Sequence, residues 1–407
     1  MNAALIDAFA ALGVSIPNIL LPAPGVDLNK FAVVACDQHV SDPAYWEAVE
    51  AYVGDAPSAL RLMLPEAWLG LRDSAAETRK IYAAMSDYVN RGLFETVENS
   101  YIYVERTLPS GAVRRGLVGK LDLECYDWAP GSTTPVRATE GTVESRLPAR
   151  VAVRRGASLE MPHIMVFLDD PENALIPSAA GGDLLYDFEL MQGGGRIRGS
   201  RVSGETAERL CAALDTPEGA VRFAMGDGNH SLAAAKRCWE QIKPTLNETE
   251  RGTHPARYAL AELVNIHDEA VTFEPIHRVL LDTDPRGFLE EAAARLPRGA
   301  GQSVTILAGK REMTIDTGLP LGKLVALADE LLTDWAREHG GLPDYIHGDG
   351  EARALGQTAA SLGLLLPRLE KSELFPYITE HGPYPKKSFS IGHARDKRYY
   401  LECRSID

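Results

Sequence analysis

The residues best suited to chemistry lie at Gly226-Asp227-Gly228-Asn229-His230-Ser231, after an apolar run that ends at Met225 and before a segment with helical apolar spacing. A glycine turn that feeds a helix presents unpaired backbone N–H groups at the positive end of the helix dipole, which is a physical reason for an anion or phosphate to bind there. Asp227 and His230 could add metal contact or proton transfer. The same residues also describe a tight turn, in which Gly226 and Gly228 supply a positive φ and Asn229 or Ser231 caps the helix. Two familiar phosphate motifs nearly match and fail. Gly226-x-Gly228-x-x-Ser231 lacks the third glycine of the dinucleotide fingerprint, and Gly194-x-x-x-x-Gly199-Ser200 lacks the lysine of a P-loop. In the second stretch Arg196 and Arg198 make a phosphate clamp on a flexible backbone, or else two solvated arginines on a surface turn.

Glu140, in Arg137-Ala138-Thr139-Glu140-Gly141-Thr142, is a carboxylate base only if the fold brings it to His230. No H-E-x-x-H, paired cysteines or G-x-S-x-G elbow is present, which argues against a zincin, a cysteine zinc site or an α/β-hydrolase nucleophile. Asp169-Asp170 and His267-Asp268-Glu269 read as solvated loop ends.

The elements that must position these groups alternate irregularly. FAVVAC (31 to 36) reads as a buried strand. Ser41-Asp42-Pro43 opens a helix whose apolar positions are Tyr45, Val49 and Tyr52, and a second helix follows over 74 to 91. YIYVERTL and GLVGKLDLE flank Gly111 as a β-hairpin, and HIMVFLDD (163 to 170) is a further strand. A helix opens at Ser203. After the strand 221 to 226, Leu232, Ala235, Trp239 and Ile242 share one helical face. Strands near 256 to 265, 302 to 307, 359 to 366 and 397 to 404, with helices near 285 to 295 and 321 to 338, complete a mixed α+β pattern.

The 407 residues carry 42 Lys+Arg against 57 Asp+Glu, a net charge of −15, with no long basic run. General nucleic-acid binding is therefore not expected, because phosphate-backbone affinity needs clustered cations. Five scattered cysteines, an odd number with no C-x-x-C, indicate free thiols in a reducing cytoplasm. The first 22 residues lack a cationic n-region and are broken by Asp7 and Pro17, which argues against a secretory signal, and no apolar run is long enough to span a membrane.

Longer words are spread along the chain: Ala35-Cys36-Asp37-Gln38, Arg137 to Thr142, Gly193-Gly194-Gly195, Met225 to Leu232, Glu274-Pro275-Ile276-His277-Arg278-Val279, Tyr345-Ile346-His347-Gly348 and Pro385-Lys386-Lys387-Ser388-Phe389. Together they resemble the bacterial domain of unknown function, family ten-fifteen, over essentially the whole length. Through that family's remote likeness to ParB, sulfiredoxin and the archaeal free-serine kinase, the resemblance implies a ParB/sulfiredoxin-like α+β core. The core spans 126–270, with an N-terminal α/β segment at 1–125 and a C-terminal one at 271–407, and the spread of these words along the chain points to one interdependent assembly rather than separable domains. Many relatives carry Asp-Gly-His-His-Arg at the turn. Here Asp227, Gly228 and His230 match, while Asn229 replaces the first histidine and Ser231 the arginine. Sulfiredoxin chemistry needs a cysteine at position 229 and is excluded. The lost arginine leaves Lys236, Arg237, Arg196 or Arg198 to hold a phosphate, or else the substrate is a smaller anion.

What the resemblance implies is an enzyme of small-molecule phosphate chemistry, most concretely a kinase of a small hydroxy compound such as free serine, using ATP or ADP and Mg²⁺. In it Gly226, Gly228, Asn229, Ser231, Arg196 and Arg198 bind phosphate, Asp227 contacts the metal, His230 hydrogen-bonds the transferring group and Glu140 is the base. The alternatives are a ParB-like nucleotide-binding module associated with nucleic acid, and a metal-assisted phosphate-ester hydrolase. The expected partner is a small phosphate ligand, in the cytoplasm, without membrane or DNA, and with homo-oligomerisation left open.

Overall fold

In the computed structural model, which describes residues 3–161, 163–214 and 220–406, the chain forms two compact units. Unit 1 comprises Met1–Ala138, Thr142–Val271 and His393–Asp407; unit 2 comprises Thr139–Gly141 and Thr272–Gly392. The expected break at 270/271 falls beside the passage from unit 1 to unit 2, whereas the one at 125/126 lies inside unit 1.

Unit 1 is organised on one mixed sheet. Ile102–Thr107 (β1), with Ile102, Tyr103 and Val104, and Val113–Asp122 (β2) pair antiparallel across the turn at Gly111, as the hairpin pattern predicts, with Ile102 opposite Val118. The sheet continues through Tyr126–Asp127 (β3), Val136–Arg137 (β4), Met165–Leu168 (β5), Leu184–Leu190 (β6), Gly195–Arg201 (β7), Phe223–Asp227 (β8) and Tyr258–Asn265 (β9), in the spatial order β6-β7-β1-β2-β9-β5-β8-β4-β3. Its centre is parallel at β5 and β9, with Met165 opposite Glu262, and antiparallel at β5 and β8, with Val166 opposite Met225. All four residues of β5 are buried, which suits its unbroken apolar sequence.

The helices of unit 1 follow their start signals. Asp42 caps Pro43–Val53 (α1) by accepting from Tyr45 N–H, with Pro43 in the first turn. Its buried face is Trp46, Val49 and Val53; Tyr52, expected inside, is 43% exposed. Ser74–Asn90 (α2), Leu147–Arg155 (α3), Gly204–Ala213 (α4, capped by Ser203) and Asn229–Ile242 (α5) complete the set used below.

Two expectations are corrected. Only Val33–Val34 of the 31 to 36 run is a strand, because Asp27 caps a short helix, Leu28–Phe31, that takes Phe31. The glycine run is no flexible loop past Gly194: β7 begins at Gly195 and is hydrogen-bonded by β6 on one side and β1 on the other.

An ionic lattice is buried in this sheet. Arg398 donates to Glu262 and to Glu402, Tyr186 donates to Glu402, and Arg114 Nε lies 3.8 Å from Glu262 Oε1. The Glu262 and Glu402 side chains are 1% and 0% exposed. Glycine is required opposite this carboxylate, since a Cβ at Gly116 would sit 2.4 Å from Glu262 Oε1.

Unit 2 has its own antiparallel sheet of Phe273–Leu281 (β10), Gln302–Ala308 (β11), Arg311–Thr317 (β12), Leu342–His347 (β13) and Ser361–Leu365 (β14), in the order β12-β11-β14-β10-β13. Phe389–Ile391 (β15) pairs with the start of β10. Leu321–His339 (α6) buries Leu324, Ala328, Leu331 and Trp335, and Lys371–His381 (α7) carries Pro376 in its interior. Buried Arg278 is held by Asp329 at 2.8 Å and donates to the Lys387 carbonyl at 2.6 Å.

Candidate functional site

The turn at 226 to 231 joins β8 to α5, as the sequence predicts. Gly228 is the residue before the helix and has φ +76, and a Cβ there would meet Ile164 Cα at 3.0 Å, so both backbone conformation and space call for glycine. No side chain caps α5, so neither Asn229 nor Ser231 performs the capping role. Asp227 Oδ1 accepts from Gly228 N–H at 2.8 Å, and its Oδ2 lies 3.2 Å from Lys397 Nζ. As placed, Asp227 shapes the turn and pairs with lysine; Lys397 would have to withdraw before a cation took that carboxylate. Among the described residues no group of three or more His, Cys, Asp or Glu is arranged to hold a metal.

His230 Nε2 accepts the Val143 N–H at 3.3 Å. The Asn229 Oδ1 atom is buried with no hydrogen-bond donor among the described residues. The remainder of α5 packs inward through Leu232, Ala235 and Trp239, and Trp239 Nε1 donates to Glu124 at 2.5 Å.

His230 and Ser231 open onto a cavity of about 790 Å³ inside unit 1. Its second wall is α3, which contacts α5 through Val151 against Ala234 and Cys238. Arg146, Arg150 and Arg154 recur every four residues and so line one face of that wall. Arg150 is paired with Glu66, and Arg154 Nη1 lies 2.6 Å from Glu160. Arg146 has no carboxylate partner among the described residues. The lining also includes the apolar side chains of Leu62, Met63, Met85 and Met161.

The polar floor contains residues that the sequence did not single out for chemistry. His163 is 2% exposed. Its Nε2 lies 3.3 Å from Asp37 Oδ2, and its Nδ1 lies 2.7 Å from the Tyr400 hydroxyl, which also accepts the Cys36 N–H at 3.3 Å. Burial pulls the imidazole down, but the Asp37 carboxylate outweighs it and holds His163 above its ordinary value. Burial pushes the Asp37 carboxyl up, and His163 reverses this, holding it well below the carboxylate range. Burial, reinforced by Asp37, pushes the Cys36 thiol up to about 12, so it is no nucleophile at neutral pH. The arginine spacing was readable in the sequence; the Asp37, His163 and Tyr400 set was not.

The other expected residues lie elsewhere. Arg196 and Arg198 are exposed on β7 and do not line the cavity; Arg196 is held by Asp187 at 2.7 Å and Glu189 at 3.0 Å. Lys236 pairs with Glu240 and Arg237 with Glu144. Asp169 and His267, expected as separate loop ends, meet at 2.8 Å where the parallel strands β5 and β9 finish.

Glu140 belongs to unit 2, beside Tyr384, and accepts the backbone N–H groups of Ser388 and Lys387. Burial outweighs those donors and pushes its carboxyl up to about 7 from an ordinary 4.5. The folded state therefore holds this proton more tightly than the unfolded chain. Its stabilising effect is complete below the unfolded value and is lost as pH rises from 4.5 to 7. Glu140→Gln is expected to raise stability at pH 8 by up to about 3 kcal/mol and to change little at pH 4, read from urea midpoints at the two pH values.

An α+β protein with a mainly apolar cavity, edged by charged side chains, at a strand-to-helix turn is the class that fold and site define. The chain belongs to the family described as Protein of unknown function (DUF1015), whose profile matches residues 20–403. No curated protein matches it. Similar solved structures include SbnI with C-terminal truncation from Staphylococcus aureus, 11% identical, covering 68% of this chain and 82% of that one with a TM-score of 0.37. A conserved hypothetical protein from Pyrococcus furiosus is 10% identical over 68% and 94% of the two chains, TM-score 0.34. Free serine kinase in complex with AMP is 12% identical over 69% and 92%, TM-score 0.36. Among the described residues no helix is long and apolar enough to cross a membrane.

Proposed function

We propose that the unit 1 cavity binds a nucleotide and that the protein transfers its phosphate to a small hydroxy compound. The observation that carries this reading is the cavity itself. Its volume of about 790 Å³ suits a nucleotide-sized ligand, and it joins an uncapped helix N-terminus to an arginine-lined wall and apolar side chains. In this reading the base lies against Met63 and Met85, and the phosphates lie at His230, Ser231 and Arg146. His230 and Ser231 are the residues of the turn at 226 to 231 that line the cavity. Gly226 and Gly228 let the backbone turn there. Arg150 is paired with Glu66, and Arg154 shares Glu160 with Arg404, so Arg146 is the arginine of this wall whose charge no carboxylate among the described residues offsets.

Titration with ATP or ADP plus Mg²⁺ is expected to raise the melting temperature, with about 2.7 kcal/mol of stabilisation at a hundredfold excess over Kd. Arg146→Ala is expected to weaken ADP binding about tenfold, by calorimetry. A panel of hydroxy amino acids with ATP or ADP should yield a phosphorylated product. Absence of both thermal stabilisation and product would end the reading, and phosphate release without an acceptor product would turn it into a phosphate-ester hydrolase.

A further inference from the structure

Resting on the phosphate-transfer reading above, we propose that Asp37 accepts the proton of the hydroxyl that is phosphorylated, and that His163 and Tyr400 are its positioning residues. Asp37, His163 and Tyr400 form a chain of contacts at the cavity floor, 3.3 Å and 2.7 Å long at its two links. The chain has one open end. His163 and Tyr400 are 2% and 4% exposed, whereas the Asp37 side chain is 24% exposed, so the carboxylate is the member that a ligand in the cavity can reach.

The rest of the chain restricts how that carboxylate can turn. Gln38 Nε2 donates to Asp37 Oδ1 at 2.9 Å, and His163 engages Oδ2, leaving on each oxygen the lone pair directed away from its donor. The Tyr400 hydroxyl holds the far side of the imidazole and is itself fixed by the Cys36 N–H, from the residue preceding Asp37. The loop that carries the acid and the ring that orients it are thus tied to the same tyrosine.

The step balances without an additional redox partner. A hydroxyl oxygen attacks the terminal phosphorus of the nucleotide and forms the new O–P bond. The bond from that phosphorus to the bridging oxygen breaks, its electron pair leaving with the shortened nucleotide. The hydroxyl proton passes to Asp37. A phosphoryl-transfer transition state is loose, so the proton leaves late and a weakly basic carboxylate suffices. An adjacent imidazolium keeps Asp37 ionised and ready to accept.

The test uses the full-length protein with ATP and Mg²⁺, following ADP formation with water or the hydroxy amino acid panel as acceptor, beside calorimetric ADP binding. Asp37→Asn is expected to lower kcat about a hundredfold while ADP affinity stays within about twofold. His163→Ala is expected to lower kcat about tenfold, with His163→Gln recovering much of it because the Gln amide can still donate to Asp37. That rescue separates positioning from simple stability. If Asp37→Asn fails to fold, Asp37→Glu takes its place, with a moved carboxylate and a kcat loss at unchanged ADP affinity as the expected result. Near-normal turnover in the Asp37 variant overturns the assignment and leaves the nucleotide reading standing. Wild-type protein that neither binds ADP nor turns over ATP overturns that reading, and the assignment with it.

Discussion

Arg398→Met is expected to lower the unfolding free energy of unit 1 by about 3 to 5 kcal/mol. The arginine is the cation between Glu262 and Glu402, whose side chains are 1% and 0% exposed, so its removal strands two carboxylates away from water. Burial pulls the guanidinium down in pKa, but the Glu402 and Glu262 carboxylates outweigh it and raise it above the ordinary arginine value. Burial pushes Glu262 up, and Arg114 and Arg398 reverse this to hold it below its ordinary value. A depressed carboxyl contributes stability above its unfolded value that is lost as pH falls through the folded one. The difference between wild type and variant should therefore shrink in acid. Urea unfolding followed by tryptophan fluorescence reads the effect, because four of the five tryptophans, Trp46, Trp68, Trp128 and Trp239, lie in unit 1. Adding Glu262→Leu and Glu402→Leu to Arg398→Met should recover part of the loss, since the cost lies in the unpaired charges. A lone Arg398→Met with an unchanged midpoint and slope would show that the lattice is not what holds the sheet.

Trp239→Ala carries the second large effect, about 3 to 5 kcal/mol from lost ring burial and the cavity left behind. Trp239 is 1% exposed and anchors α5 to the rest of unit 1, and its Nε1 donates to Glu124. The first turn of the same helix presents His230 and Ser231 to the cavity. The stability loss should therefore be accompanied by a weaker ADP-induced rise in melting temperature. Trp239→Phe keeps most of the apolar contact and should cost less, losing mainly one hydrogen bond to Glu124, which Lys243 still holds at 2.8 Å. If Trp239→Ala destabilised the protein yet left the ADP response intact, α5 would not be what aligns the site.

Local signals were read well where one element answers to its own residues. Asp42-Pro43 starts α1, Ser203 starts α4, the segments flanking Gly111 pair as an antiparallel hairpin, and the turn at 226 to 231 joins a strand to an amphipathic helix. Signals failed where neighbours overrule local preference. Glycines 195 and 199 argue against a strand, yet β6 and β1 hydrogen-bond that backbone from both sides. β10 is not among the expected strands because Pro275, His277 and Arg278 interrupt its apolar pattern, although Arg278 is buried against Asp329. α7 was hidden by Pro376 within it. The α1 face was misassigned by placing Tyr52 inside in place of Trp46 and Val53.

The sequence by itself determined an acidic α+β chain, a member of its family by words spread from residue 35 to residue 389, with a glycine turn feeding a helix. These follow from composition, from periodicity and from steric rules that act within a few residues. The tertiary structure decided which side chains share the cavity. Asp37, His163 and Tyr400 come from three distant stretches, and Arg146 to Arg154 face them from a helix that the turn motif does not predict. Sheet register and helix packing bring such groups within 3 Å or so, and neither leaves a mark at short spacing along the chain.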